Sequence, residues 1–435
     1  MTELETGPRR PPPGFGTPAP RPARPGGSSG RELVQLAIVV AAVVLAAVVT
    51  GTADILVVIV ALIVMVMLHE LGHFATAKWS HMKVTEYFLG FGPRLWSVRR
   101  GETEYGIKAI PAGGYVRIVG MSNLEEVDPA DEPRSYRQQP FRNRLVVALA
   151  GSFMHGVMAF VLVWAYFTFS GVPSADVVRI QALAPLSHNL DPARTAGLRA
   201  GDIVKSIDGK AVTGPDMVIH LVGSHAGTPV TIVVERAGAE RTVVVTPVAD
   251  NPAGASATAA PTGHIGVVLG EGSRSVGPIG AVAKSGVAIG STVTASFSAL
   301  GQIFSAHGLS QYWHDLTNSK AAAASEHSAV RIQSIYGAVR TAAQGVQAGW
   351  GAFVAVFVSI NVFVGILNLL PMLPLDGGHV AIAVYERIRS RKGRRYHADV
   401  AKLAPVAYAF VVFLGFIVVS SLYLDITHPV ANPFH

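Results

Sequence analysis

The sequence predicts a polytopic α-helical membrane protein that carries one sizeable aqueous α/β domain. Half of its 435 residues are hydrophobic and only 14% are charged, a balance that is unusual for soluble globular proteins. Roughly 20 apolar residues are needed to cross a bilayer as a helix. Apolar runs of about that length predict about five spans: Leu33–Thr50, Ile55–Ala77, Leu145–Gly171, Trp350–Leu370 and Leu403–Leu424.

Composition excludes several classes of function. The formal net charge is +7, but much of the basic surplus lies in short stretches beside apolar runs. This placement indicates membrane topology and not nucleic-acid binding. The chain contains no cysteine, so disulfides and thiolate metal ligands are excluded. A transition-metal site in this protein must therefore use histidine, aspartate or glutamate side chains.

The N-terminal residues 1–32 are rich in Pro, Gly and Arg without apolar periodicity, which predicts a disordered arm. The first span is predicted over residues 33–53. The small residues Gly51 and Ala53 also suit cleavage, so a signal sequence with a long basic leader is an alternative for this segment. In either case the second apolar run begins outside the membrane.

Lysine and arginine are concentrated in three segments: the N-terminal arm, residues 78–142 and residues 387–402. The tail after Leu424, residues 425–435, has neither. The positive-inside rule therefore predicts a cytoplasmic N-terminus and an extracytoplasmic C-terminus. It also puts residues 172–349 outside, where large domains cross regardless of charge.

Residues 175–248 have the pattern of a small α/β domain. Four segments alternate or run apolar like short strands, "VVRIQAL", "DIVKSIDG", "PVTIVVER" and "ERTVVVTPV", and "GPDMVIHLVGSH" suits a short helix. The turn-rich stretch "ARTAGLRAGDIVKSIDGKAV" resembles the signature of PDZ domains. In that resemblance Gly197, Gly201, Asp202 and Asp208 are turn makers and not ligand contacts. Residues 249–348 are predicted to form a linker and extracytoplasmic helices, and a further span there stays open.

One apolar segment contains ionisable residues, which are costly in a bilayer and indicate function by default. His69, Glu70 and His73 form the pattern H-E-x-x-H. On a helix the two histidines lie one turn apart on one face, so both imidazoles can reach one metal ion. Glu70 is rotated about 100° from His69, close enough to act on a metal-bound water without being a ligand. Zinc suits this donor set and keeps a fourth position for water.

A third ligand is predicted at similar depth on another span. "ILNLLPMLPLDGGHV" (Ile366–Val380) ends the fourth apolar run, and Asp376 lies on the side that His73 approaches. Pro371 and Pro374 break the helix there. Irregular backbone at membrane depth is tolerated where it lines a buried or wet site. The membrane core is therefore predicted over residues 55–171 and 349–424.

The two motifs together resemble those of the site-2 protease family of intramembrane zinc metalloproteases, peptidase family M50. The resemblance runs from about Ile55 to Leu424 and, with the PDZ-like domain, is similar to the bacterial branch that acts on anti-sigma factors in the inner membrane. It implies zinc as cofactor, with His69, His73 and Asp376 as ligands and Glu70 as general base. It also implies that Asn368 holds substrate or stabilises the oxyanion; the alternative is an amide that only caps the broken helix.

The segment after the H-E-x-x-H span also resembles the family. "FLGFGPRLW" (Phe88–Trp96) carries its Gly-Phe-Gly-Pro stretch, and "EYGIKAIPAGGYVRIVGM" (Glu104–Met121) predicts two strands around Pro-Ala-Gly-Gly. The resemblance implies a membrane-associated β-hairpin near the site. One stretch departs from the pattern: where the family often shows Gly-Pro-x-x-Asn, this chain has "AGSFMHG", with Ser152 and His155 in those places.

The predicted function is cleavage of transmembrane segments of single-span membrane proteins, such as anti-sigma factors, after a first cut outside the membrane. The bilayer and those substrates are the predicted partners, and nucleic acid is not. A non-catalytic PDZ adaptor is the alternative, although it gives the metal triad no purpose. A metal transporter is disfavoured, because one buried triad is not a chain of ligands along several spans.

Overall fold

A computed structural model describes residues 30–121, 126–186, 190–250, 262–327, 331–390 and 396–434. Most of the predicted arm, most of the predicted linker and the basic cluster at 391–395 lie outside these residues. The chain divides into two units. The first joins the chain up to Gly156 with Ala299–His435, and the second is Val157–Ser298.

The described chain begins with two apolar helices, α1 (Gly30–Val49) and α2 (Ala53–Trp79). Helix α1 already includes the last residues of the predicted arm. Most of its large apolar side chains are exposed, as lipid-facing side chains are. Between the helices Gly51 adopts φ +70°, a left-handed conformation that glycine tolerates best.

A long antiparallel pair follows, β1 (Val84–Arg100) and β2 (Thr103–Ile118). The prediction of two strands around Pro-Ala-Gly-Gly was wrong in detail, because β2 runs through that stretch and the connecting turn lies at residues 101–102. Both strands bend, so that Tyr87 pairs with Tyr105 on one side and with Val116 on the other. Glycines at positive φ, Gly90 and Gly92, permit the bend in β1.

Helix α3 (Phe141–Ser170) begins directly after Pro140. It starts four residues before the predicted apolar run, because "FRNR" continues the helix on the polar side. Its first half, up to Gly156, belongs to the first unit. The buried residues of this half include Val147, Ala148 and Ala150.

The second unit is built around a mainly antiparallel sheet. Its elements are β3 (Val172–Leu183), α4 (Pro192–Thr195), β4 (Ile203–Ile207), β5 (Lys210–Ala211), α5 (Pro215–Gly223), β6 (Val230–Arg236), β7 (Ala239–Val245), β8 (Val248–Asp250), β9 (Thr262–His264) and β10 (Val267–Arg274). The strand order is β10-β3-β4-β6-β7, with β5 on β4. The sheet thus extends past the predicted limit at residue 248, because β10 pairs along β3.

This domain has its own apolar core, which includes Val178, Ile180, Leu198, Ile207 and Ile232. The two aspartates of the PDZ-like stretch bind backbone N–H groups, Asp208 across to β6 and Asp202 within its own turn. The Asp208 carboxylate accepts the Thr231 N–H at 2.7 Å, and the Asp202 carboxylate accepts the Arg199 N–H at 2.9 Å. Asp202 is also fully buried and bound by Arg236, which the sequence did not indicate.

Four helices follow the sheet: α6 (Gly277–Ile303), α7 (Ala306–Thr317), α8 (Ser319–Ala324) and α9 (Ile335–Ala348). Helices α6 and α7 meet at an angle of 68°, and together they are long and apolar enough to be a broken span. The Ser305 hydroxyl accepts the Gly308 N–H and starts α7 at this break. By length and hydropathy, this bent pair is the candidate for the further span that the sequence leaves open.

The chain ends with α10 (Trp350–Leu367), α11 (Asp376–Arg389) and α12 (Ala404–Thr427). Helix α10 ends three residues before the end of the predicted apolar run, and two prolines follow. Within the described residues, α1, α2, α3, α10 and α12 are each long and apolar enough to cross a membrane. Together with the sheet of the second unit, they define a polytopic membrane protein with a PDZ-like domain.

Candidate active site

The two histidines of H-E-x-x-H lie on the buried face of α2. His69 and His73 are 8% and 4% exposed, and their Nε2 atoms are 3.3 Å apart. The Nδ1–H of His73 donates to the Val147 carbonyl on α3 at 2.7 Å. Because this bond occupies Nδ1, the Nε2 lone pair of His73 is left free to bind a metal ion.

Asp376 reaches the histidines from the first residue of α11. Its Oδ2 lies 3.4 Å from His69 Nε2 and 3.2 Å from His73 Nε2. Two glycines after Asp376 allow this approach. A Cβ on Gly377 would overlap the carbonyls of Leu369 and Leu370, whereas its N–H donates to the Asn368 carbonyl at 2.7 Å.

The three ligand atoms fit a zinc ion. Tetrahedral zinc with nitrogen and oxygen ligands at 2.0–2.2 Å requires those ligands to be roughly 3.3–3.5 Å apart. The three observed separations are 3.3, 3.4 and 3.2 Å. Asp376 Oδ2 is buried without a hydrogen-bond partner, as expected of an atom that faces a cation. In the described part of the chain, this is the group of three His, Asp or Glu residues whose ligand atoms all lie within 4.8 Å of one another.

Glu70, which is also on α2, lies beside the three ligand residues. Strand β2 covers it. A Cβ on Gly114 would lie 3.3 Å from Glu70 Cγ and 3.1 Å from Met67 Sδ. The second glycine of Pro-Ala-Gly-Gly thus lets the strand pass close to this carboxylate. The Tyr87 hydroxyl donates to the Met67 carbonyl at 2.7 Å and attaches the same sheet to α2.

One face of α3 closes the site from the other side. Besides the Val147 carbonyl, it presents Gly151 to both histidines, and a Cβ there would overlap His69 Cε1 and His73 Nε2. The sequence analysis did not single out either residue. The available signal was the small pair Ala150-Gly151 at the start of the departing "AGSFMHG" stretch.

Of the departing residues of "AGSFMHG", Ser152 is half-buried and His155 is buried inside the first unit. The Ser152 hydroxyl has no hydrogen-bond partner among the described residues. His155 is 2% exposed, and its ring centroid lies 5.0 Å from that of His69. It is bonded to Asn361 of α10, which is fully buried and which the sequence analysis also missed.

Asn368 lies where α10 ends. Its backbone closes the helix, since its N–H donates to the Val364 carbonyl at 2.9 Å. Its side-chain amide makes no hydrogen bond to any residue that the structure describes. Capping is therefore done by the backbone of Asn368, and the side-chain amide is left for another partner.

Fold and site together define a multi-pass membrane protein with a buried His-His-Asp metal centre and a PDZ-like domain. The sequence profile of peptidase family M50 matches residues 57–414. The chain belongs to this family, and it is a zinc metalloprotease whose cofactor is Zn²⁺.

Several named proteins are similar along most of the chain. Zinc metalloprotease Rip1 of Mycobacterium tuberculosis is 34% identical over 419 residues, covering 86% of this chain and 96% of that protein. Rip1 of Mycolicibacterium smegmatis is 32% identical with the same coverage. The putative zinc metalloprotease all3971 of Nostoc is 30% identical, covering 78% of this chain and 87% of that protein.

A solved structure, the PDZ domain of the SdrC-like protein Lmo2051 from Listeria monocytogenes, is 24% identical. It covers 22% of this chain and 87% of its own, with a TM-score of 0.18, which is too low to bear on the fold.

Proposed function

We propose that this protein is an intramembrane protease that cuts transmembrane segments of single-span membrane proteins. The observation that carries this proposal is the convergence of His69, His73 and Asp376. Of the helices involved, α2 has the length and hydropathy of a membrane span, and α11 follows another such helix, α10. A water-dependent site at that depth suits substrates that are themselves in the bilayer. Regulated cleavage of anti-sigma-factor-like substrates, after a first extracytoplasmic cut, is the proposed context.

Each side chain of the site has a proposed role. The two imidazoles and the Asp376 carboxylate would hold zinc, which when bound would supply Lewis acidity to the scissile carbonyl and to a water molecule. Glu70 takes a proton from the attacking water and delivers it to the leaving amine. The Asn368 amide, which bonds no side chain or backbone group in the described part of the chain, holds the substrate backbone or its developing negative charge.

Substrate is proposed to add to the sheet beside Glu70. A helical substrate hides its carbonyls in backbone hydrogen bonds, so local unwinding must precede attack. The segment Gly114–Val116 of β2 pairs with β1 along one side, among the described residues. An unwound substrate strand can pair along its other side through main-chain hydrogen bonds, which tolerate many sequences.

The proposed orientation follows the distribution of charge. The N-terminus and the β1–β2 sheet face the cytoplasm of a bacterial inner membrane, and the PDZ-like domain and C-terminus lie outside. The basic residues around β1 and β2 and near the end of α11, together with the absence of Lys and Arg after Leu424, support it. In this arrangement the PDZ-like domain acts as a size filter for substrates whose outer part has been removed.

A non-catalytic PDZ adaptor is the second candidate. The PDZ-like domain has its own core, which is what such an adaptor requires. The adaptor has no use for three converging ligand atoms beside a covered glutamate.

The experiment that tests the proposal measures zinc content and cleavage of a shortened single-span anti-sigma-factor-like substrate by purified protein. Wild type should hold close to one zinc per chain and cleave. Asp376→Ala should lose both properties, because it removes one of three protein ligands. Glu70→Gln should keep zinc and lose cleavage by at least about 100-fold, because general acid–base catalysis typically contributes that much.

The two variants control for each other. Cleavage that persists in Asp376→Ala would show that the three residues do not form one catalytic metal site. It would favour the adaptor, with another enzyme doing the cutting. Retained cleavage in zinc-loaded Glu70→Gln would remove Glu70 from the mechanism but leave the metal site intact.

A further inference from the structure

The two metal-binding histidines are held differently. Ligating histidines in metal sites almost always donate their second ring N–H to an acceptor, which fixes the ring. His73 does so through the Val147 carbonyl. His69 Nδ1 is buried, and the Gly151 backbone beside it lies outside strict hydrogen-bond geometry. Hydrogen bonding therefore fixes the His69 ring less firmly than it fixes the His73 ring.

Packing also orients the His69 ring. The Gly151 backbone lies against the His69 ring on one side, since a Cβ there would lie 2.7 Å from Nδ1. The His155 ring lies next to it, with centroids 5.0 Å apart and planes tilted by 50°. Both contacts come from α3, one turn apart, so His69 rests on two consecutive turns of the same helix.

His155 is itself fixed by a reciprocal pair of hydrogen bonds with Asn361 of α10. The Asn361 Nδ2 donates to the His155 carbonyl at 2.7 Å. Because a carbonyl only accepts, this bond assigns the nitrogen and the oxygen of the Asn361 amide. The Asn361 Oδ1 must then accept the Nδ1–H of His155, also at 2.7 Å. Gly365 permits the close approach, because a Cβ there would lie 2.8 Å from His155 Cβ.

We infer that His155 and Asn361 form a positioning pair that holds His69 in its metal-binding orientation. This inference rests on the proposed zinc site. The pair adds to the weak polar contact of His69 Nδ1 a ring contact whose geometry is fixed from α10. His155 is not a ligand in this scheme, because its ring nitrogens lie outside the group of converging ligand atoms.

The alternative is that the His155–Asn361 pair serves only to join α3 to α10. Buried polar pairs between apolar helices stabilise membrane proteins modestly wherever they occur. The chain offers a matched control, the buried pair Tyr312–Ser420, which joins α7 to α12 through a hydroxyl hydrogen bond of 2.6 Å. Neither of its residues belongs to the metal centre.

The test compares zinc dissociation constants of the full-length protein in detergent by competition with a chelator, together with thermal unfolding of the zinc-free forms. The variants are His155→Ala, Asn361→Leu, the double variant and the control Tyr312→Phe. Loss of a supporting group around a metal ligand typically weakens metal binding 10- to 100-fold. We expect that loss in His155→Ala and Asn361→Leu, no further loss in the double variant, and unchanged zinc affinity in Tyr312→Phe.

Several outcomes would overturn the inference. Zinc affinity unchanged in Asn361→Leu, an apolar change that suits a membrane helix, would reduce the pair to a helix contact. Additive losses in the double variant would show that Asn361 does not act through His155. X-ray absorption at the zinc edge should count two imidazoles in wild type, and a third would make His155 a ligand. Wild type without zinc would instead refute the proposed function itself.

Discussion

Gly151 determines how closely α3 can approach the two histidines of the metal centre. A methyl group at this position would occupy space taken by His69 and His73, and both rings are held by other contacts. We expect Gly151→Ala to weaken zinc binding at least about tenfold, in the range seen when the surroundings of a metal ligand are disturbed. Gly156→Ala is the control, because a Cβ there meets nothing within 4 Å on the same helix. Equal zinc content in the two variants would contradict this account.

Asp202 makes the stability of the PDZ-like domain sensitive to acid. Burial raises the pKa of its carboxyl. The hydrogen bonds from Arg236 at 2.6 and 2.7 Å, the Arg199 N–H and the charges of the two arginines together outweigh burial, so the pKa lies below its usual value. A carboxyl with a depressed folded-state pKa stabilises the fold above its unfolded pKa of about 3.9. That contribution is lost as the pH falls through the folded-state pKa.

Hydrogen exchange of the sheet amides in the full-length protein measures this effect. Wild type should lose protection below about pH 4. Asp202→Asn should lower stability at neutral pH by roughly 1.5–3 kcal/mol and flatten the acid response. Glu235→Gln serves as the comparison, since its partner Lys205 is half exposed and such pairs contribute little. An acid response as steep in Asp202→Asn as in wild type would assign it to other groups.

At the scale of elements, α3 organises the site. Arg144, Val147, Gly151 and His155 follow one another at spacings of three or four residues, so they share one helix face. This face contacts α11, α2 and α10 in turn. Its first contact is a buried ion pair, in which Arg144 Nη1 donates to Glu386 Oε2 at 2.5 Å.

The Arg144–Glu386 pair ties α3 to the helix that begins at Asp376. The other carboxylate oxygen of Glu386, Oε1, accepts the Ala398 N–H at 2.7 Å. We expect Arg144→Leu or Glu386→Leu to destabilise the protein by about 3–5 kcal/mol, because each leaves an unpaired buried charge. The double variant should recover most of that loss. Thermal unfolding in detergent measures the effect, with Lys402→Ala as an exposed control expected to change stability by less than about 1 kcal/mol. Two single losses that add in the double variant would rule out this coupling.

At the scale of the whole molecule, the first and last strands of the second unit's main sheet, β3 and β10, pair with each other. Val172 of β3 pairs with Arg274 of β10, so a short Gly/Ser linker can replace residues 172–274. A deletion limited to 175–248 would instead leave β10 without its partner.

This deletion separates the two proposed functions. A protease with a size filter should still cleave shortened substrate at least as fast as the full chain, and should gain cleavage of substrate that has not been cut. An adaptor should lose all effect on the substrate. The deletion variant carrying Glu70→Gln is the matched control and should be inactive in both assays.

Local patterns predicted much of the molecule. Apolar run length indicated the five helices, and the residues of H-E-x-x-H and of the late Asp-Gly-Gly motif indicated the three converging ligand atoms. What sequence could not supply depends on contacts between distant segments. The pairing of β10 with β3 joins strands separated by most of a domain, and no short-range signal marks it. Asn361 reads as an ordinary polar residue in an apolar helix until His155 is placed opposite.

Gly151 illustrates the same limit from the other direction. A glycine in an apolar helix predicts close packing of some kind. Which atoms it admits depends on how α2 and α3 are rotated about their axes, and single-sequence patterns do not specify that rotation. The bend of β2 over Glu70 is similar, since Pro-Ala-Gly-Gly is typical of a chain reversal and here permits a close crossing.

The shared face of α3 has a consequence for how this chain can vary in length over evolution. One residue inserted after Arg144 would turn everything that follows by about 100° about the helix axis. Such an insertion would move the Val147 carbonyl, Gly151 and His155 away from their partners all at once. The same insertion in α1, most of whose large apolar side chains are exposed, would only rotate one apolar surface into another. Length polymorphism should therefore accumulate in α1 and be absent from the first half of α3.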